Sequence, residues 1–123
     1  MAVSIADLIA KKEDIQAKKK NLYTLETSIG DIVFRVPSID IISDSWAMTR
    51  TVEGNQLLIL ECAVSPNLKD RELQQEFGCS EPIDIVSALF QSGEITRIAA
   101  CLLNLAGFNE NIKYKLHREV KNS

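Results

Sequence analysis

Residues 56–64, QLLILECAV, decide what kind of fold this 123-residue chain adopts. Apolar side chains fill nearly every position, so no face is left for water, and the run reads as a helix buried on all sides. Ser65-Pro66 ends it, because the Pro66 ring disfavours helical backbone at the preceding residue. Such a helix has to be covered by the rest of the chain. Immediately upstream, Ser38 can cap an amphipathic helix carrying Ile39, Ile42, Trp46 and Met48, with Gly54-Asn55 as the break between the two.

Further upstream, residues 22–37, LYTLETSIGDIVFRVP, switch to a period of two. Tyr23 and Leu25 alternate with Thr24 and Glu26, and Ile32, Phe34 and Val36 alternate with Val33 and Arg35, around a turn near Gly30-Asp31. This is a β-hairpin with one apolar face, and two strands alone are too marginal to stand without helices behind them. Downstream lies a heavily punctuated connector, residues 63–82, AVSPNLKDRELQQEFGCSEP. Its Pro66, Asn67, Leu68, Asp70, Gly78 and Pro82 sit where helices must start or stop, so it reads as a structural joint. Asp70 caps residues 71–77, Ser80 or Glu81 starts a short helix over 82–90, and Ser92 caps a longer one over 93–106. Ile95, Ile98, Leu102 and Leu105 form the stripe of that longer helix, and Gly107 stops it. The expected core joins Leu58, Leu60, Phe34, Ile98 and Leu102.

The two ends differ from this body. Residues 4–21 read as one helix opened by a Ser4/Asp7 capping box and closed by Lys18–Lys20, with a thin stripe of Ile5, Leu8 and Ile15. Residues 110–121 read as a last helix with Ile112, Leu116 and Val120 spaced by four. Residues 1–21 hold five lysines against three acids, net +2; residues 113–123 hold four basic residues against one acid, net +3; residues 22–112 carry −8. The fold class expected is therefore mainly α with one β-hairpin (α+β), a single small domain of six or seven short helices around the apolar one. Its basic N-terminal (1–21) and C-terminal (110–123) helices are loosely docked. Ile5, Leu8, Ile15, Trp46, Ile112, Leu116 and Val120 are the candidate protein-contact residues, and a homo-oligomer held through the ends is an expected possibility.

Little chemistry is encoded. Cys62, Cys79 and Cys101 are widely spaced and odd in number, without the pattern of a disulfide framework or a zinc site. His117 is the single histidine and has no nucleophile signature near it, and the five glycines are isolated rather than grouped in a phosphate loop. No catalytic, metal or cofactor-binding residue is expected. The acidic body argues against nucleic acid. The apolar runs are too short for a membrane span, and the early charges Asp7, Lys11 and Lys12 interrupt any signal-peptide core. The residues by themselves point to a protein-contacting module, with a small antitoxin-like or anti-repressor-like adaptor of a mobile element as one option.

The order YTLETSIGDIVFRVPS, ECAVSPNLKDRELQQEFGCSEPIDIV and LFQSGEITRIAACLLNLAGF resembles the XkdN-type phage tail assembly chaperones over about residues 5 to 110. These accompany contractile-tailed phages, defective prophages and tail-like bacteriocins. The segment AMTRTVEGNQ, residues 47–56, is where the likeness is weakest. The resemblance implies a non-enzymatic chaperone in the bacterial host cytoplasm that binds the tape measure protein, helps recruit tail tube subunits and is absent from the finished particle. It also implies that contact with the tube protein can run through a longer product made by ribosomal frameshifting.

Overall fold

A computed structural model describes residues 2–108, 111–113 and 115–117. In chain order the elements are α1 (Ile5–Ala10), α2 (Lys12–Lys20), β1 (Leu22–Thr27), β2 (Gly30–Arg35), α3 (Ile39–Trp46), α4 (Thr51–Cys62), β3 (Ala63–Ser65), α5 (Arg71–Glu76), α6 (Asp84–Leu89) and α7 (Ser92–Leu105). The α+β class and the count of seven helices, made among the described residues, are those expected from the sequence.

α4 is the centre. Leu58, Ile59, Leu60 and Cys62 are all buried, and α3, α6 and α7 pack around them. On the sheet side Ile32 and Phe34 of β2 close the core, and Ile85, Val86, Phe90, Ile95, Ile98 and Leu102 complete it from α6 and α7. Leu58, Leu60, Phe34, Ile98 and Leu102 lie in this one cluster, as their pattern required. Each such side chain contributes about 1.5–3 kcal/mol by leaving water, which is why the short helices hold together.

Several boundaries differ from the sequence reading: α6 starts at Asp84 rather than at residue 82, and Ser92 lies inside α7 rather than capping it. Three further differences have identifiable causes. First, α4 runs straight through Gly54-Asn55. A glycine costs a helix only about 1 kcal/mol relative to alanine, and this one is needed, because a Cβ there would overlap the Ser45 carbonyl oxygen of α3. Second, the helix ends at Cys62, and Ala63–Ser65 become a third strand antiparallel to β2, with Phe34 opposite Ala63 and Val33 opposite Ser65. A buried helix and a buried strand give the same unbroken apolar run, so periodicity could not separate them. Pro66 stops a helix only at Ser65, and β2 offers Ala63–Ser65 the backbone hydrogen bonds that end it earlier. Third, the hairpin turn is Ser28-Ile29, closing on the pair Thr27–Gly30, and Gly30 takes φ 124°, a value that only glycine adopts readily.

The ends differ too. Residues 4–21 form two helices, interrupted at Lys11 (φ −96°, ψ 7°), and neither buries a residue. With no buried side chain to enforce straightness, they are held mainly by local bonds, and an interruption costs little. At the C-terminus, residues 111–113 and 115–117 carry neither helix nor strand, so the helix expected over 110–121 is absent from them. Spacing by four also contains spacing by two: Ile112, Tyr114 and Leu116 alternate with Lys113, Lys115 and His117. Val120 lies outside the described residues.

Candidate protein-contact surfaces

The N-terminal arm is built locally. Ser4 Oγ accepts from the Asp7 N–H, and an Asp7 carboxylate oxygen accepts from the Ser4 N–H, both at 3.1 Å, so the capping box read from the sequence forms. The Ser4 backbone N–H, and then its hydroxyl, hold the Asp7 carboxyl below its usual range. At 100° per residue Ile5, Leu8 and Ile9 share one face of α1. Ile5 is 77 % and Leu8 51 % exposed, and Ile15 on α2 is exposed as well. Among the described residues the arm therefore presents apolar side chains that are exposed rather than buried in the body.

Trp46 is another exposed apolar position, 61 % accessible at the end of α3. Its ring meets Phe108 edge-to-face, with centroids 5.4 Å apart and planes at 87°, an arrangement worth about 0.5–1.5 kcal/mol beyond area burial. The end of α7 positions Phe108. Gly107 (φ 98°) donates its N–H to the Asn104 carbonyl and Phe108 donates to that of Leu103, the paired bonds of a Schellman end. Beside the rings a cavity of about 320 Å³ is lined by Met48, Gly54, Leu58 and Leu103. The sequence reading missed Phe108. Its signal was the apolar residue directly after a helix-stopping glycine.

The joint is held by a residue that the sequence reading passed over. Gln74 on α5 donates its side-chain amide to the Leu68 carbonyl at 2.8 Å and to the Pro82 carbonyl at 3.0 Å, tying the two ends together. Leu68 is buried in the core, Asn67 Oδ1 accepts from the Lys69 N–H, and Asp70 Oδ1 caps α5 through the Leu73 N–H. Gly78 (φ 65°) ends α5, with Cys79 donating to the Gln74 carbonyl. Pro66 and Pro82 stand at the ends of this connector, after β3 and before α6. Lys69 Nζ pairs with Glu61 at 2.6 Å.

A second tie crosses the molecule. Glu94, in the first turn of α7, accepts from the Ser28 N–H at 2.8 Å and from its hydroxyl at 2.5 Å, fixing the hairpin tip to the helix. These two bonds hold the Glu94 carboxyl below its ordinary value. Gln56 of α4 likewise bonds Ser87 of α6.

Burial pushes the Cys62 thiol up to about 11, so it stays protonated at neutral pH. Cys79 and Cys101 are half-buried free thiols, and His117 is exposed. Among the described residues no group of three or more His, Cys, Asp or Glu side chains could hold a metal ion, and no helix is long and apolar enough to cross a membrane. Ile112 and Leu116 are 89 % and 79 % exposed.

The model of the family described as Phage XkdN-like tail assembly chaperone protein matches residues 47–121. The match includes the whole of residues 47–56, where the likeness looked weakest, takes in α4, the joint and α7, and leaves out the arm and the hairpin. No curated protein and no solved structure matches the chain.

Proposed function

The chain belongs to the XkdN-like phage tail assembly chaperones, and from that premise we propose that it binds the tape measure protein through exposed apolar helix faces and helps recruit tail tube subunits. The observation that carries this reading is the arm: a capped helix whose Ile5, Leu8 and Ile9 are all exposed. A tape measure protein is long and largely helical, with apolar stripes that aggregate before a tube encloses them. A short amphipathic helix can cover such stripes one segment at a time, through contacts that are individually weak and strong when repeated. Trp46, with half of its surroundings open, offers a second apolar contact. In this reading the protein does no covalent chemistry, works in the host cytoplasm and leaves before the particle is complete. Tube subunits are reached through a longer frameshifted product.

The test is co-expression with overlapping fragments of a candidate tape measure protein. The expected result is that fragments insoluble alone become soluble with this chain, and that Ile5→Asp/Leu8→Asp abolishes the effect. Because neither side chain is buried, that variant keeps the wild-type unfolding midpoint. Equal recovery of every fragment with and without the chain would sink the proposal.

A further inference from the structure

β1 is an edge strand, since the sheet order is β1-β2-β3. Every second residue of its six directs N–H and C=O away from β2, a row of backbone groups ready for another strand. Natural edges are blunted by lysine, proline or a bulge. LYTLET has neither lysine nor proline, and its register with β2 is continuous. Along this edge a cavity of about 520 Å³ opens toward α7, with Leu25, Ile98 and Cys101 in its wall and Glu26, Glu94 and Arg97 at its lips. Glu26 stands directly opposite Asp31 on β2. Like charges so placed destabilise a sheet unless a cation sits between them.

The chain itself contains the matching strand. Residues 111–117, NIKYKLH, alternate Ile112, Tyr114 and Leu116 with Lys113, Lys115 and His117. We propose that residues 111–117 of one copy add as a fourth strand to the free β1 edge of a second copy. Ile112 and Leu116 then face Leu25 and Ile98 under α7, and Lys113 and Lys115 lie over the Glu26–Asp31 pair. The strand period of two delivers this split without further adjustment: one face of the incoming strand is apolar, the other carries the cations. Among the described residues of the single chain, Ile112 and Leu116 are 89 % and 79 % exposed rather than packed against Leu25 and Ile98.

Sedimentation velocity over a concentration series of the full chain is the test. Wild type is expected to self-associate, with backbone amides of residues 22–27 gaining hydrogen-exchange protection as association proceeds. Ile112→Asp/Leu116→Asp, Glu26→Lys, and Lys113→Glu/Lys115→Glu each weaken association roughly tenfold or more. Glu26→Lys combined with Lys113→Glu/Lys115→Glu restores most of it. All five positions are exposed, so circular dichroism stays at wild-type values; the unfolding midpoint is unchanged in the tail variants and is not lowered by Glu26→Lys, which replaces a like-charge pair with an opposite-charge one. A wild type that remains monomeric overturns the proposal, and so does a charge swap no better than its single arms. Protection of 111–117 in the monomer would mean that the tail closes on its own edge. Loss of tape-measure capture by the Ile112→Asp/Leu116→Asp variant, with self-association unchanged, would assign the tail to the client instead. Either result overturns it.

Discussion

At the scale of single residues, two glycines make opposite demands. Gly54 is the point where α3 and α4 touch, and any Cβ meets the Ser45 carbonyl, a backbone group that cannot swing aside. Gly54→Ala is therefore expected to destabilise by about 1–3 kcal/mol or more, as overpacking does. Gly93, near the start of α7, has nothing within 4 Å of the corresponding position. Gly93→Ala is expected to stabilise by about 0.4–1 kcal/mol, through the unfolded chain. Urea midpoints of the two variants check the pair; equal shifts in one direction would show that the α3–α4 contact is looser than described. Both glycines look the same in the sequence, isolated and flanked by polar residues. Only the neighbouring helix makes one of them irreplaceable. Gln74 illustrates the same limit. Its two acceptors, the carbonyls of Leu68 and Pro82, lie six residues before and eight after it. Gln74→Ala should cost about 1–3 kcal/mol because the part-buried Leu68 carbonyl loses its donor.

Among the elements, the tie between the hairpin and α7 sets an acid response. Glu94 is held below its ordinary value of 4.5 by the Ser28 hydroxyl and N–H. A carboxyl whose folded value is depressed stabilises the fold above the unfolded value, and the contribution fades as pH falls through the folded one. The difference in unfolding midpoint between wild type and Glu94→Gln is thus expected to be constant at neutral pH and to shrink below about pH 4.5. A difference independent of pH between 7 and 3 would show that the bonds to Ser28 do not favour the ionised form. Glu94 falls in the stretch LFQSGEITRIAACLLNLAGF read from the sequence, yet its partner lies 66 positions away. Local pattern marks the residue and says nothing of the contact. Caps within one element are another matter. The Ser4/Asp7 box and the Asp70 cap were legible because donor and acceptor are three residues apart. Ser92 misled for the same reason: it lies inside α7, and Gln91 takes the cap position without a side-chain bond.

For the molecule as a whole, the core answers to α4. Leu60→Ala removes three carbon atoms from a site only 5 % exposed, and about 2–5 kcal/mol of stability is expected to go with it. A midpoint within error of wild type would contradict the placement of α4. Substitutions on the exposed face of α1 are expected to leave that midpoint alone, so under the proposed function they test client binding separately from stability. What the sequence determined unaided was each property set by neighbours along the chain. Those are the helical and two-residue periods, the capping box, the stops at Gly78 and Gly107, and the mainly α composition with one hairpin. The motif order also indicated the family. What only the tertiary structure decided was where an apolar run changes from helix to strand, and which glycine is a contact rather than a break. It also decided which side chains span the joint and the hairpin. At Cys62 both conformations bury the same side chains. The choice falls to β2, which supplies backbone partners for Ala63–Ser65. That partner is some thirty positions upstream, beyond the reach of any local pattern.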